Sequence, residues 1–424
     1  MTALVVVLEG ISFVGLAVRD GGLPSPHRWR AQRERVAQES GGPTAGTDAA
    51  ARGIEAGGMQ VIHPYLGFVL NPSFKVDWRD IDAQGFMRRP GEVDPPAGTP
   101  RFVFGLFGGS VAGGLCMRGR DDLLAELRRS PRVQGKAIVV RCLAMGGYKQ
   151  PQQLMALAYV LSLGYQFDLV VDVDGANEAA LAIHDNLNQG VYPFYPRGWS
   201  AMVAGAPSVE ALRTVGRIAA AKEERLRWSS LCASRPLAWS PSCHLLWTAL
   251  DRRLARRIYA AESALARLEP PAQSFAARGP AFGDLPRQQV CRQLADEWAR
   301  SSTLMSALAR DRGTPFLHFL QPNQYLRGSK PMGRQERLVA IDPAQPYKGP
   351  LEDCYPAFVE AGKQLAAHGV AFHDLTGLFA DHREPLYDDT CCHYNDKGYR
   401  LVAQAIGRAA VEALAHSPER HADW

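Results

Sequence analysis

"RFVFGLFGGSVAGG", Arg101 to Gly114, is an apolar run that ends in glycines and resumes as small residues around one hydroxyl, Ser110. The apolar stretch from Phe102 to Phe107 reads as a buried strand, the kind a covered parallel sheet requires. Glycines let the backbone turn sharply and come close to a ligand. The pattern therefore predicts strand, tight turn and helix, with Ser110 at the strand's carboxyl end, where open α/β sheets bind their ligands. A glycine-rich turn that merely joins strand to helix would carry the same letters, so Ser110 gains meaning only from other loops.

Further runs extend the series. "KAIVVRCLAM", "DLVVDVDG", "PFLHFLQP" and "VAFHDL" read as strands, and "DDLLAELRRS" and "PQQLMALAYVLSLGY" as amphipathic helices between them. The expectation is an α/β fold, a parallel sheet covered on both faces, over residues 59–199 and 313–424. Three long segments with 3.6-residue periodicity, between residues 200 and 312, read as a helical insertion. "HPYLGF" and "DAQGFMRRPGE" are short strand-and-turn pieces ahead of the main domain.

The chain has 424 residues, 46% hydrophobic and 21% charged, with net charge +5. That is ample for a sizeable core. The basic runs "HRWRAQRER" and "RRLARR" sit among acidic residues and read as solvated helix faces rather than a nucleic-acid groove. Eight cysteines, irregularly spaced and without a C-x-x-C, suit neither a disulfide framework nor a zinc ribbon. Cys391, Cys392 and His393 are adjacent, and adjacent residues rarely converge on one metal.

Residues 1–20 are apolar but contain Glu9, and Ala3 to Val18 is shorter than the ~20 residues of a usual span. A membrane anchor, a signal-like segment and a helix packed on the domain all remain open, so the chain reads as either membrane-anchored or soluble. Residues 21–58, rich in Gly, Pro, Ser, Ala and charge, read as a linker or arm.

Three more loops carry candidate chemistry. Gly146 and Gly147 follow the second strand, where a glycine N–H can face the same crevice or simply start a helix. Asn177 follows the third strand; its amide suits an oxyanion, and equally a helix cap. His393 follows Asp388 and Asp389 in "YDDTCCHYNDKGY", and a general-base His needs a carboxylate on its far nitrogen. The spacing around Ser110 is not G-x-S-x-G, and neither GxGxxG nor a P-loop lysine is present.

Taken in order, Gly-Gly-Ser, then Gly, then Asn, then a C-terminal Asp and His, the chain resembles the SGNH (GDSL-like) hydrolase family, over residues 60–198 and 313–415 with "HPYLGF" and "QPNQY" as supporting phrases. The resemblance implies a three-layer α/β/α sandwich with a flavodoxin-like sheet. It implies Ser110 as nucleophile, His393 as base, and the N–H groups of Ser110 and Gly147 with the Asn177 amide as the oxyanion hole. No metal or organic cofactor is called for.

Two departures stand out. Gly109 replaces the usual aspartate before the serine, and Thr390 occupies the usual aspartate position three before the histidine. Asp389, four before, is the chosen partner of His393, with Asp388 second. The implied activity is a serine esterase acting on a small-molecule or carbohydrate ester, such as an O-acetyl group. The alternatives are an O-acyltransferase acting on a polysaccharide and a non-catalytic binding scaffold, the latter favoured by the displaced aspartate.

Overall fold

The computed structural model describes residues 2–20, 22–40, 59–203, 209–267 and 275–417. The chain divides into two units, Met1–Ile62 with Gly198–Gly279, and His63–Arg197 with Pro280–Trp424.

The second unit is mixed α/β around a seven-stranded, mostly parallel sheet. Its strands are β1 (Asp80–Ile81), β2 (Met87–Arg88), β3 (Arg101–Gly108), β4 (Ala137–Ala144), β5 (Leu169–Asp174), β6 (Phe316–Leu320) and β7 (Ala371–Asp374). Their order is β1-β2-β4-β3-β5-β6-β7, with β1 and β2 antiparallel on the edge. Every residue of β5 and β6 is buried, which accounts for their mostly apolar letters, broken by the buried polar residues Asp172, Asp174 and His318. Helices Arg287–Asp311 and Lys348–Ala367 pack together, and Asp396–His416 packs on Arg120–Leu127.

Register decides where the chemistry falls. Gly108 pairs with Ala144 on one side and Val173 on the other, while Asp174 pairs with Leu320 and Leu320 with Asp374. The carboxyl ends of the parallel strands are thus level, and the loops after β3, β4 and β5 leave from one rim. Gly108 turns with φ +134°, and a Cβ there would lie 2.1 Å from the Val173 carbonyl oxygen. Only glycine fits that position.

The expected insertion is shorter than the 200–312 read from periodicity. Helix Arg287–Asp311 belongs to the α/β unit, where it lies in the connection from β5 to β6. Its apolar face includes Leu294, Trp298 and Met305, all buried. A 3.6-residue period reveals that a helix has a buried face, not what buries it.

The first unit joins the N-terminal segment to the remaining insertion helices. Thr2–Asp20 and Pro26–Ser40 are both helical, so the expected arm is a helix in its first part; residues 41–58 lie outside the described residues. Pro26–Ser40 is too polar to announce itself by periodicity and is held by tertiary contacts. Arg33 is fully buried, its Nη1 donating to the Cys232 carbonyl at 2.5 Å. Trp29 stacks on His244 at 4.7 Å, and Val36 packs with Cys232 and Trp247. Reading "HRWRAQRER" as a solvated face is therefore wrong at Arg33.

Glu9 accepts hydrogen bonds from the hydroxyls of Ser240 and Ser242 at 2.6 and 2.5 Å. Among the described residues no helix is long and apolar enough to cross a membrane.

Four cysteines form two disulfides, Cys116–Cys142 and Cys291–Cys354, and each joins elements of the α/β unit. The irregular spacing along the chain concealed both pairs, because strand and helix packing sets which thiols meet.

Candidate active site

The tight turn after β3 delivers Ser110 as the first residue of a helix, with Gly109 at the cap position. Its N–H is one of those a helix start leaves without an intrahelical partner. Ser110 Oγ lies 2.7 Å from His393 Nε2. On the far side of the imidazole, Nδ1 lies 2.5 Å from Asp389 Oδ2. The imidazole and carboxylate side chains are 22% and 24% exposed, so solvent and small ligands reach them.

A local turn overcomes the extra residue between Asp389 and His393. Asp389 Oδ1 accepts the backbone N–H groups of Cys391, Cys392 and His393 at 2.9, 3.1 and 3.2 Å, curling the chain around the carboxylate. Asp388 points elsewhere, accepting from Arg118 Nη1 at 3.0 Å. The "QPNQY" phrase buttresses this turn. Gln324 Nε2 donates to the Asp389 carbonyl at 3.1 Å, and Tyr325 donates its hydroxyl to the Thr390 carbonyl at 2.6 Å.

Asn177 sits in the first turn of helix Ala176–Leu181, and Gly175, not Asn177, occupies the cap position. Its amide Nδ2 donates to the Tyr148 carbonyl at 2.8 Å. The same nitrogen would lie 2.3 Å from a Cβ placed on Gly109, so Asn177 stands directly over the turn that leads into Ser110. Gly147, one residue before Tyr148, has φ +88° and is buried. Tyr148 donates its hydroxyl to the Phe68 carbonyl at 2.6 Å, which ties this loop to the "HPYLGF" phrase. Loops distant in sequence thus converge on one rim.

Three residues missed in the sequence organise this rim. Glu178 Oε2 accepts the Gly175 N–H at 2.7 Å, and its Oε1 accepts from Gln150 N and Gln153 Nε2, both at 3.0 Å. One buried carboxyl therefore bridges the Gly147 loop and the Asn177 loop. Burial, reinforced by Asp174, pushes its pKa up to about 8. The sequence carries half of a capping box, Glu178 three residues after the cap residue Gly175, which has no side chain to complete it.

Lys149 is buried, which lowers its pKa to about 8, and its Nζ donates to the Pro193 and Tyr195 carbonyls. Arg197 overhangs Gly147: its Cδ lies 3.2 Å from where a Cβ on Gly147 would be, and its Nε meets Asp185 Oδ2 at 2.6 Å.

Among the described residues, two groupings bring candidate metal-ligand atoms within 4.8 Å of one another, Cys391–Cys392–His393 and Asp172–Asp174–His318. In the first, both imidazole nitrogens are engaged by Ser110 and Asp389. In the second, His318 is fully buried and engaged by Ser302 at 2.7 Å and Asp174 at 2.8 Å.

Neither a protein-family model nor any curated protein sequence matches this chain.

Proposed function

We propose that the chain is a serine hydrolase of SGNH type that cleaves an ester through an acyl-enzyme. The observation that carries this reading is the unbroken hydrogen-bonded line from Ser110 Oγ through both nitrogens of His393 to Asp389. The order of the parallel strands, β4-β3-β5-β6-β7, supports it: relative to one another they run 2-1-3-4-5, the flavodoxin-like order, which suits a three-layer sandwich.

In this mechanism Asp389 keeps the proton on Nδ1, so Nε2 accepts the Ser110 proton as Oγ attacks the acyl carbon. The carbonyl π pair moves to oxygen, giving an oxyanion. It is met by the N–H groups of Ser110 and Gly147 and by the second N–H of the Asn177 amide, whose first is engaged by Tyr148. Collapse expels the alcohol, which takes the proton from His393. Water, deprotonated by His393, then attacks the acyl-enzyme, releasing the carboxylic acid and restoring Ser110.

The test is a fluorophosphonate probe together with p-nitrophenyl acetate turnover. The expected result is labelling and turnover in the native protein and neither in Ser110→Ala. A folded native protein that does neither overturns the reading.

A further inference from the structure

The α/β unit holds a second feature, an open cavity of about 400 Å³ whose walls include Tyr192, Phe194, Phe282, Gln293, Asp296 and Arg300, and none of the triad residues. Its volume falls within the roughly 300–1,000 Å³ of small-molecule sites. The three rings meet edge to face, with centroids 5.2 to 6.1 Å apart, and are half-buried. Gln293, Asp296 and Arg300 come from helix Arg287–Asp311, and Asp296 and Arg300 are exposed.

The cavity and the triad rim share one stretch of chain. Residues 191–197 contribute Tyr192 and Phe194 to the cavity and, three residues past Phe194, Arg197 above Gly147. Three residues span at most about 11 Å. The stretch is fixed from beneath. Lys149, two residues after Gly147, donates to the Pro193 and Tyr195 carbonyls at 2.5 Å each. Asn186, fully buried, donates through Nδ2 to the Tyr192 and Tyr195 carbonyls at 3.1 and 3.0 Å. One stretch of chain, held by Lys149 of the Gly147 loop, therefore forms part of the cavity wall and also overhangs Gly147.

The lining selects among ligands. A plain acyl chain has no use for an amide, a carboxylate and a guanidinium. Asp296 balances the charge of Arg300, so the lining has no surplus of positive charge to select a phosphate-rich ligand. A pyranose ring satisfies the whole set, because its C–H face packs on aromatic rings while its hydroxyls both donate and accept. We propose that this cavity is a saccharide subsite of the catalytic centre, so that the substrate is an O-acylated oligosaccharide with one ring held here and its ester at Ser110. The inference rests on the serine-esterase reading for its reaction and adds the substrate class.

The test pairs calorimetric titration with p-nitrophenyl acetate turnover, which reports Ser110 without a sugar. The titrants are cellotetraose, xylotetraose, chitotetraose and mannotetraose, against native protein, Phe282→Ala and Asp296→Asn. The expected result is that at least one tetrasaccharide binds the native protein and binds Phe282→Ala about tenfold more weakly, the scale of one lost aromatic contact. Asp296→Asn should weaken the same ligand, with p-nitrophenyl acetate turnover unchanged in both variants.

Turnover of p-nitrophenyl acetate with no tetrasaccharide bound, or binding indifferent to both substitutions, overturns the subsite alone. Variant-sensitive binding without labelling or turnover overturns the esterase reading and leaves the saccharide site standing.

Discussion

Asp389 lies four residues before His393, yet its Oδ2 reaches the imidazole Nδ1 at 2.5 Å because its Oδ1 gathers the three intervening and terminal N–H groups of residues 391–393. The same carboxylate shapes the turn and, in the proposed mechanism, orients the base. Asp389→Asn should therefore lower kcat by about 10⁴-fold, the scale seen when an orienting carboxylate is lost. Asp388→Asn removes a charge partner of Arg118, not the carboxylate on the imidazole, and should cost far less. Steady-state p-nitrophenyl acetate kinetics on the two variants decide this, and a loss in Asp388→Asn as large as in Asp389→Asn would overturn the special role of Asp389.

Gly109 offers a sharper probe of the proposed oxyanion hole than removal of the donor itself. Its φ is −88°, which any residue adopts, so Gly109→Ala carries no backbone strain there. The added methyl, however, would lie 2.3 Å from Asn177 Nδ2 and must push the amide aside. Asn177→Ala is expected to lower kcat by about 10²–10³-fold, and Gly109→Ala by a similar factor. Because both act on one donor, the double variant should lose little more than either single. Additive losses would show that the methyl acts through something other than Asn177.

The sheet was readable because β3 to β6 are mostly buried runs dominated by Val, Ile, Leu and Phe, a pattern that follows from covering both faces. Ser110, Asn177 and His393 could be singled out as candidates because each stands at a helix start or in a loop, next to glycine or acidic punctuation. What stayed hidden depends on contacts across the chain. Helix Pro26–Ser40 is held by Arg33 on distant carbonyls and Trp29 on His244, which no local period records. Helix Arg287–Asp311 looks amphipathic whichever unit it joins. Arg197 stands 50 residues from Gly147 in sequence and beside it in space.

Glu178 makes stability depend on pH. Its folded pKa is raised from 4.5 to about 8, first by burial and then by Asp174. Between those values the folded chain holds a proton that the unfolded chain has released, so stability falls as pH rises through that window. Asp172, also raised by burial, Asp174 and Glu178, adds a slope of the same sign. Lys149, lowered from 10.5 to about 8, acts above that window and with the opposite sign. Glu178→Gln fixes the neutral form and should flatten part of the decline. Urea midpoints at pH 5 and pH 8 for both proteins measure it, and an unchanged slope would assign the titration elsewhere.

The two disulfides should differ in what their loss costs. Cys291–Cys354 closes a sequence separation of 63 and clamps helix Arg287–Asp311 to helix Lys348–Ala367. Cys116–Cys142 closes 26 and ties the helical stretch that begins at Ser110 to β4. Chain entropy assigns about 4 kcal/mol to the longer loop and slightly less to the shorter. Replacing Cys291 and Cys354 by serine should lower the unfolding free energy by about that amount in urea and leave p-nitrophenyl acetate kcat near native, since neither residue touches the rim. Replacing Cys116 and Cys142 should cost stability and also lower kcat, because the tether holds the segment that aims Ser110 at His393. A native kcat in that second variant, measured where it is still folded, would show that the sheet register alone positions the serine.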